Sequence, residues 1–503
     1  MVTVISTAPP PTTTTTPIDA KVSRFLASPK RLLIGGEWRP ARSGETFAAI
    51  DPAKGTVLGH AAAGDKADVD AAVTAARAAF SAPAWAGMSP HERSRLLLRI
   101  AEQIEAHAEE LAQLESLNNG VPLSNTRLAM AGVVDTFIYY AGWATKIYGE
   151  TNPSSPGILN YTLREPVGVC GQIVPWNGPI TSAAWKVAPA LATGNTVILK
   201  PAEQTPLSSV RFAELLLEAG LPEGVFNLVT GFGETAGAAI AAHPGVDKVG
   251  FTGSTEVGKK ILAASTGNLK RVTLELGGKS PNIIFKDADL DAAVAGSAMG
   301  FCFMTGQICV AASRILVHES VHDAFAEKLA AAVRAQVIGD PFDASTTLGP
   351  VVSKDQLDRV TGYFDIGRRE GARVMTGGSA IARAGYFVEP TVFAGVRNEM
   401  RVAQEEIFGP VTTLIPFRDE DEAIRIANDT PFGLAAAVWT RDLATAHRAA
   451  RALRAGTVWI NTYLHIDLIS PFGGCKQSGL GRELGRQSLD AFTEVKSVFA
   501  NLG

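Results

Sequence analysis

Hydrophobic positions in the first part of the chain recur at helical spacing. Apolar residues at intervals of three and four predict helices over Asp65–Phe80 and His91–Leu117. An aromatic-rich helix is predicted over Val134–Tyr148, where a core-facing stripe explains the aromatic residues better than a ligand site does. Ahead of these helices, the segment Leu32–Arg39 has Gly35-Gly36 at its centre. Two short strands joined by a glycine turn, a β-hairpin, are predicted there.

Beyond Gly149 the pattern changes to short apolar runs separated by amphipathic stretches. The runs are rich in Val, Ile and Leu, as strands buried on both faces are. The predicted order is strand Val167–Pro175, helix Ile180–Ala192, strand Thr196–Lys200, helix Leu207–Ala219, strand Val225–Val229, helix Glu234–Ala242, strand Lys248–Phe251, helix Thr255–Ala264 and strand Arg271–Leu276. This alternation predicts an α/β fold with a parallel, doubly wound, Rossmann-like sheet, which binds ligands at the carboxyl ends of its strands.

A second α/β unit is predicted after Lys279. Its elements are strand Asn282–Phe285, helix Ala292–Met304, strand Arg314–His318, helix Val321–Val337, Gly/Pro-rich loops up to Thr391, helices Glu420–Asn428 and Leu443–Leu453, and strands Thr457–Asn461 and Val495–Ala500. The chain contains no internal repeat, which excludes solenoids and propellers. At 503 residues it is long enough for two or three domains.

Composition narrows the class of protein. Hydrophobic residues make up 46% of the chain and charged residues 19%, and the net charge is −4. This balance is ordinary for a globular protein and offers no basic surface to nucleic acid or to an anionic membrane. No apolar run reaches the ~18 residues that a membrane-spanning helix needs.

The cysteines and the N-terminal tail indicate in which cellular compartment the protein is expected. Cys170, Cys302, Cys309 and Cys475 show neither C-x-x-C nor metal-ligand spacing, so we expect no metal site and favour a reducing, cytoplasmic environment. Residues 1–20 contain a run of prolines and a run of threonines, without a basic start or an apolar core. We expect a disordered extension there rather than a signal peptide or a transit peptide.

Polar residues with candidate chemistry follow the ends of three predicted strands. Lys200 and Glu203 suit a nucleotide ribose, although a solvated surface pair would look the same. Gly253-Ser254 opens a helix whose free N–H groups suit a phosphate, and the other interpretation of Ser254 is a simple N-cap. Asn177 can donate to an oxyanion or serve as a turn residue.

The stretch around Cys309 offers a nucleophile, and the strand ending near Glu275 offers a base. A free thiol has a pKa of ~8.5, so a catalytic cysteine needs an activating group, and a small buried apolar residue is the other interpretation of Cys309. Glu275 stands alone in an apolar strand, where an unpaired carboxylate is costly and rare. Together they suggest nucleophilic catalysis by a sulfur atom with a carboxylate base.

These segments combine into a pattern that strongly resembles the aldehyde dehydrogenase superfamily from about Leu32 to the C-terminus. Seven motifs occur in the order and at the spacing of that family. They are P-W-N (175–177), L-K-P-A-E (199–203), F-T-G-S-T-E-V-G (251–258), L-E-L-G-G-K-S-P (274–281), G-Q-I-C (306–309), E-E-I-F-G-P-V (405–411) and P-F-G-G-x-K-x-S-G (471–479).

The resemblance implies a role for each catalytic candidate. Cys309 would attack the aldehyde carbonyl, and the Asn177 side chain with the Cys309 backbone N–H would hold the oxyanion. After hydride transfer to the nicotinamide, Glu275 would activate the water that hydrolyses the thioester. Lys186 and Glu483 resemble the secondary proton-relay positions of the family.

The resemblance also implies NAD as cofactor, with NADP as the other possibility. Glu203 favours NAD because it would repel a 2′-phosphate, although the family contains NADP-using members with such an acid. Glu275 argues against the CoA-acylating branch, whose members generally lack this base. The cofactor-binding residues implied are Val174, Pro175, Trp176, Lys200, Glu203, Gly233, Phe251, Gly253, Ser254, Gly258, Leu276, Gln356, Glu406 and Phe408.

The substrate pocket is implied by the same resemblance. Many relatives carry an aromatic residue at the position of Gly178, so its absence suggests room between apolar walls. We therefore expect a medium or bulky aliphatic, terpenoid or aromatic aldehyde. Without an evident cationic grip or aromatic cage, a semialdehyde acid and a betaine or amino-aldehyde are less favoured. The implied lining is Gly178, Thr181, Ser182, Trp185, Phe303, Ile308, Leu464, Ile466 and Phe472, with the rest of the loop 464–469.

The expected architecture has three parts and a homo-oligomeric assembly, a dimer or a tetramer. An NAD-binding domain would comprise residues 21–147 and 166–278, a catalytic domain residues 279–478, and a bridging or oligomerisation element residues 148–165 and 479–503. The alternatives are a CoA-dependent acyl transferase on the same scaffold, a non-catalytic binding member of the fold, and a general thiol hydrolase. Retention of both a nucleophile and a base argues against the binding protein, and the cofactor motifs argue against the hydrolase.

Overall fold

The computed structural model describes residues 15–503. Most of the tail predicted to be disordered lies outside the described residues. From Thr15 the chain contacts the body of the protein, because the Thr16 N–H donates to the Phe342 carbonyl at 2.9 Å. Asp19 then caps the first helix by accepting from the Lys21 N–H.

The elements of the described chain, in order, are as follows. The helices are α1 (Ala20–Leu26), α2 (Lys66–Ser81), α3 (Pro83–Ala86), α4 (Pro90–Ala106), α5 (Ala108–Asn119), α6 (Leu123–Trp143), α7 (Pro179–Ala192), α8 (Leu207–Glu218), α9 (Ala238–Ala242), α10 (Thr255–Ala264), α11 (Leu290–Cys302), α12 (His322–Arg334), α13 (Lys354–Arg369), α14 (Arg401–Gln404), α15 (Glu420–Asn428), α16 (Leu443–Ala452) and α17 (Gln487–Asp490). The strands are β1 (Leu32–Ile34), β2 (Glu37–Arg39), β3 (Thr46–Asp51), β4 (Thr56–Ala62), β5 (Thr151–Asn152), β6 (Ile158–Pro166), β7 (Val169–Ile173), β8 (Thr196–Lys200), β9 (Phe226–Leu228), β10 (Lys248–Thr252), β11 (Arg271–Glu275), β12 (Pro281–Ile284), β13 (Arg314–His318), β14 (Arg373–Thr376), β15 (Thr391–Ala394), β16 (Val411–Phe417), β17 (Ala435–Trp439), β18 (Thr457–Ile460), β19 (Gly479–Leu480) and β20 (Thr493–Asn501).

The predicted α/β fold is confirmed by an eight-stranded sheet in the order β19-β11-β10-β7-β8-β9-β1-β2. Its five central strands are parallel, and the hairpin β1–β2 and the short strand β19 extend it as antiparallel edges. Buried side chains fill both faces of the central strands, because helices cover the sheet on both sides. The carboxyl ends of these strands therefore meet at one edge, where a ligand site is expected.

A second sheet follows the order β14-β15-β16-β13-β12-β17-β18 and is parallel except for β14. The peripheral strands form a three-stranded antiparallel sheet in the order β20-β6-β5 and the hairpin β3–β4. β19, at residues 479–480, pairs with β11 of the first sheet rather than with the three-stranded sheet.

The single helix predicted over His91–Leu117 is wrong, because two helices occupy this stretch. α4 begins at a capping box in which Ser89 and Glu92 exchange hydrogen bonds, and it ends at Ala106. His107, with φ −116° and ψ 16°, breaks the helix before α5 begins. The apolar spacing continues across this break, so periodicity alone gave no sign of it.

Other predicted boundaries were wrong where tertiary contacts decide the local conformation. The aromatic helix begins at Leu123 and ends at Trp143, and the stretch predicted as helix Glu234–Ala242 opens with a π-helical segment, Gly233–Gly237. The loops predicted up to Thr391 contain α13 and β14, and strands β16 and β17 were not predicted. No helix of the described chain is long and apolar enough to span a bilayer.

Candidate active site

The loop that carries Cys309 has an unusual backbone. After α11 the chain forms a tight turn over Phe303–Gly306, in which Met304, Thr305 and Gly306 all have positive φ, at 52°, 56° and 68°. Gly306 has no substitute here, because a Cβ would lie 2.1 Å from the Gly409 carbonyl oxygen. Left-handed conformations cost non-glycine residues free energy and persist where surrounding contacts enforce them.

Hydrogen bonds from a neighbouring segment hold this loop. Thr305 Oγ1 donates to the Gly349 carbonyl at 3.0 Å, and the Val352 N–H donates to Gln307 Oε1 at 2.9 Å. On the other side of the cysteine, the buried Tyr463 hydroxyl donates to the Val310 carbonyl at 2.9 Å. The backbone around Cys309 is therefore fixed before any substrate binds.

Cys309 is half-buried and packs against the apolar core of the second sheet. Burial and the nearby carboxylates of Glu406 and Glu275 together raise the pKa of its thiol to about 12, against the opposite effect of the backbone N–H groups of Cys309 and Val310. At neutral pH this side chain is therefore a thiol that must lose its proton to another group when it attacks.

Asn177 reaches the same loop from the first sheet. It follows β7 and lies just before α7, and its Nδ2 donates to the Gln307 carbonyl at 2.9 Å. A carboxamide nitrogen carries two hydrogens, so one donor remains for a ligand beside Cys309. The structure thus brings together two residues that are more than a hundred positions apart in the sequence.

Glu275 ends β11 and is only 4% exposed, yet neither of its carboxyl oxygens accepts a hydrogen bond in the described chain. Burial and the neighbouring Glu483 carboxylate raise its pKa well above the usual range, and Lys186 acts in the opposite direction. Gly473 leaves the space for this carboxyl, because a Cβ there would lie 2.5 Å from Glu275 Oε1. An unsatisfied buried carboxyl with a raised pKa is typical of a general base.

Lys186 and Glu483 form a buried ion pair beside Glu275, with exposures of 1% and 6%. Lys186 Nζ also donates to Thr252 Oγ1 at 2.6 Å, and Thr252 is the register partner of Glu275 in the adjacent strand. The predicted relay residues Lys186 and Glu483 therefore lie next to the predicted base, although no hydrogen bond joins them to Glu275 in the described chain.

The predicted adenosine and phosphate residues lie at the carboxyl ends of β8 and β10. The nearly buried Lys200 Nζ donates to Glu203 Oε2 at 2.9 Å, and Ser254 Oγ accepts from the Val257 N–H at 3.2 Å as the N-cap of α10. A Cβ on Gly253 would lie 2.4 Å from the Phe251 ring, and a Cβ on Gly258 would lie 2.6 Å from the Leu276 side chain, so side chains would collide at both positions. Gly233 begins the π-helical segment with open space at its Cβ position.

The predicted nicotinamide-ribose residues lie on the loop before β16, close to the strand that ends at Glu275. Glu406 Oε1 accepts from the Gly278 N–H at 3.0 Å, and burial raises its pKa to about 7. Phe408 has a positive φ of 61°, and its ring meets Trp176 edge-on with centroids 5.1 Å apart. Val174 and Pro175 directly precede that tryptophan at the end of β7.

Gln356 and Arg359 on α13 support this loop. Gln356 Nε2 donates to the Phe408 carbonyl at 2.7 Å, while Arg359 donates to the Ile407 carbonyl at 3.2 Å and to the Glu406 carbonyl. Sequence reasoning missed Arg359. Its spacing of three from Gln356 on a helix could have revealed it, had α13 been predicted.

Some of the predicted substrate residues pack in the same apolar cluster as Cys309, and others lie outside it. Trp185 and Phe472 meet edge-on at 5.5 Å, and they pack with Ile308 and Leu464 against the same apolar cluster as Cys309. A Cβ on Gly178 would meet only the Thr181 Cβ, at 3.8 Å. Ser182 and Phe303 are half-buried, whereas Ile466 is 36% exposed on the loop outside this cluster.

Residues 15–503 contain no group of three or more His, Cys, Asp or Glu side chains arranged to hold a metal ion. The chemistry available at this site is therefore that of a thiol, an amide donor, an unsatisfied carboxyl and a buried lysine–glutamate pair.

Comparison with known proteins places the chain beside well-characterised enzymes. Residues 38–498 match the model of the aldehyde dehydrogenase family. The chain is 49% identical over 489 residues to an aldehyde dehydrogenase of Emericella nidulans, covering 97% of this chain and 98% of that one. It is 50% identical over 471 residues to human retinal dehydrogenase 2, covering 93% and 91%.

A solved structure, the NAD⁺ complex of the aldehyde dehydrogenase from Bacillus cereus, superposes with a TM-score of 0.96. The two chains are 48% identical, and the alignment covers 97% of this chain and 100% of the other.

Proposed function

The chain belongs to the aldehyde dehydrogenase family, and we propose that it oxidises an aldehyde to the carboxylic acid with NAD, through a thioester on Cys309 that water hydrolyses. The observation that carries this proposal is the meeting of Asn177, Glu275 and Cys309 at the junction of the two sheets. Asn177 contacts the cysteine loop directly, and Glu275 is a buried carboxyl with no hydrogen-bond partner in the described chain.

The residues at the strand ends fit NAD. Lys200 and Glu203 form a paired donor and acceptor for ribose hydroxyls, and the first N–H groups of α10 have no intrahelical acceptor, which suits a pyrophosphate beside Ser254. Glu406 offers its second oxygen to the nicotinamide ribose, because Gly278 occupies only Oε1. When bound, the oxidised nicotinamide supplies the acceptor for the aldehyde hydride.

Cys309 and Asn177 carry the first half of the reaction. The sulfur forms a bond to the carbonyl carbon, the thiol proton passes to solvent water, and the carbonyl oxygen becomes an oxyanion. The free hydrogen of Asn177 Nδ2 and the Cys309 backbone N–H stabilise that charge, a contribution of about 3–4 kcal/mol in acyl chemistry. Loss of the hydride from carbon then leaves a thioester on Cys309.

Glu275 carries the second half. Once Glu275 has lost its own proton, its raised pKa makes it a stronger base than an exposed carboxylate, so it takes a proton from water as the water attacks the thioester. The C–S bond breaks, the acid leaves, and the sulfur regains a proton from solvent water. The Lys186–Glu483 pair and Thr252 provide polar groups along which the proton on Glu275 can leave the buried site.

Glu203 is proposed to set the preference for NAD. We expect Glu203→Gln to lower the ratio of kcat/KM for NAD to that for NADP by about tenfold, because the variant removes a negative charge from the ribose site and frees Lys200 for a 2′-phosphate. The measurement is the initial rate with each cofactor. Glu214→Gln is the matched control, since it removes a partly buried carboxylate that pairs with Arg211 on α8. An unchanged ratio in Glu203→Gln would contradict this assignment.

We propose a medium or bulky apolar aldehyde as substrate. Trp185, Ile308, Leu464 and Phe472 pack in the same apolar cluster as Cys309 and would form the walls of the pocket, and Gly178 leaves open space at its Cβ position. A relative named for retinal, a bulky terpenoid aldehyde, is half identical to this chain. These walls carry no cation to hold a substrate carboxylate.

Filling the space at Gly178 tests this proposal. We expect Gly178→Phe to lower kcat/KM for bulky aldehydes by about 10- to 100-fold and to leave acetaldehyde oxidation nearly unchanged, because the ring would occupy the volume of the larger substrates. The backbone tolerates the change, since φ is −152° at this position. Rates on a panel of short, long, terpenoid and aromatic aldehydes give the result. Equal effects on small and bulky aldehydes would argue against a pocket at this position.

We also propose that the three-stranded sheet mediates assembly into a homo-dimer or homo-tetramer. β20 forms an edge of that sheet and exposes Val495 and Phe499, which favours pairing with another copy of the chain. On this proposal residues 148–165 and most of residues 479–503 bridge subunits, while the first and second sheets belong to the cofactor and catalytic domains.

A further inference from the structure

Helix α5 carries a buried carboxylate that contacts the start of α7. Glu115 is 4% exposed, and its Oε1 accepts from the Ile180 N–H at 2.8 Å and from the Ser208 hydroxyl at 3.1 Å. Its Oε2 accepts from Asn119 Nδ2 at 3.3 Å. No basic side chain of residues 15–503 pairs with Glu115, so only neutral donors bind it, and burial raises the pKa of this carboxyl to about 7.

The beginning of α7 lacks the usual side-chain cap. Its N-cap residue is Gly178, which has no side chain, and its first residue is Pro179, which has no N–H. The Ile180 N–H therefore has no acceptor within its own helix, and Glu115 caps it from another element. Ile180 lies three residues after Asn177, so this contact fixes the backbone from which the amide donor projects.

The C-terminal end of α5 approaches the Cys309 loop. Gly120 follows the last residue of α5 and packs so closely against Gly349 that a Cβ on Gly349 would lie 1.9 Å from the Gly120 carbonyl oxygen. The Gly349 carbonyl in turn accepts from Thr305 Oγ1 at 3.0 Å. α5 therefore contacts the Asn177 segment through Glu115 and reaches the cysteine loop through Gly120 and Gly349.

We propose that Glu115 is a positioning residue that sets the separation between the two oxyanion donors, the Asn177 amide and the Cys309 backbone N–H. Glu115 touches neither substrate nor cofactor, and its effect passes through Ile180 to Asn177. The proposal rests on the proposed role of Asn177. Loss of this cap would let the start of α7 shift, and small shifts of a catalytic donor lower rates without removing the donor.

A double-mutant cycle with Asn177 tests the proposal in the intact enzyme with NAD. We expect Glu115→Ala to lower kcat by about tenfold in the wild-type background. In the Asn177→Ala background, we expect Glu115→Ala to lower kcat by less than about twofold, because the donor that it positions is already gone. Should Glu115→Ala fail to fold, Glu115→Leu, which fills the same space without an acceptor, takes its place in the same cycle.

Glu110→Ala is the matched control. Glu110 lies on the same helix at 7% exposure, but its carboxylate pairs with Arg211 of α8 at 3.0 Å rather than with α7. We expect Glu110→Ala to lower the stability of the fold. Any change in kcat that it causes should be the same in the wild-type and Asn177→Ala backgrounds. An equal loss of kcat from the Glu115 variant in both backgrounds would overturn the positioning role, whereas an unaffected rate in Asn177→Ala alone would overturn the proposed function of Asn177 instead.

Discussion

Replacing Cys309 with alanine is expected to abolish NAD-dependent aldehyde oxidation, with a fall in kcat of about 10⁴-fold or more. The reason is that the variant keeps the cofactor residues and the Asn177 donor but has no atom that can form the thiohemiacetal. We expect NAD to bind with an affinity within about twofold of the wild type, because the contacts proposed for its adenosine and phosphates lie on β8, β10 and α10. Rates of NADH formation and calorimetric titration with NAD measure the two quantities.

Cys302→Ala is the control for that experiment. Cys302 is a buried cysteine near the end of α11 and is packed within the same core, but it takes no part in the proposed chemistry. We expect it to retain activity, with a small loss of stability from the deleted sulfur. Full oxidation by Cys309→Ala would refute the covalent mechanism.

The second large effect is expected at Glu275. The Glu275→Gln variant keeps the volume of the side chain but cannot accept a proton from water, so we expect acid release to slow by about 10²- to 10³-fold. Because formation of the thioester does not require this water, the acyl enzyme accumulates. Intact-mass spectrometry during turnover measures the added acyl mass, and single-turnover kinetics separate a burst of NADH from slow hydrolysis.

The double variant Glu275→Gln, Cys309→Ala locates the acyl group. We expect it to show no mass increase, since the sulfur that holds the acyl group is absent. If Glu275→Gln released acid at the wild-type rate, the water would have another base, and the unsatisfied carboxyl of Glu275 would need a different explanation.

The parallel sheet and the positions of its strand ends could be predicted because the short apolar strands are buried on both faces. This pattern leaves few alternatives for the order of strands and helices. Lys200 and Glu275 end their strands and Ser254 closely follows β10, so their meeting at one edge of the sheet follows from the topology. The roles of these residues came from the resemblance to the family and stay predictions.

Other parts of the site depend on contacts between segments far apart in the sequence. Leu357, Val360 and Phe364 recur at helical spacing, so α13 could have been predicted from its amphipathic pattern, and Arg359 could have been found with it. The left-handed turn at Met304 and Thr305 runs against the preference of both residues and is held by Gly349, Val352 and Gly409. No local pattern encodes such a turn.

Glu115 shows the same limit of sequence-based prediction for a buried titratable side chain. Its sequence context is an ordinary helix, and only the packing of α5 against the starts of α7 and α8 gives the carboxylate its donors. A sequence pattern indicates that a charged residue on a helix is exposed, because that is the usual place for one. The tertiary structure reverses that expectation here.

The most direct test of the account is the stoichiometry of NADH and carboxylic acid when the purified enzyme oxidises an apolar aldehyde with NAD and without CoA. The account predicts one NADH for each molecule of acid released, with no further increase on adding CoA. NADH formation that requires CoA, or acid release that proceeds without NAD, would contradict the hydrolytic dehydrogenase mechanism proposed for this chain.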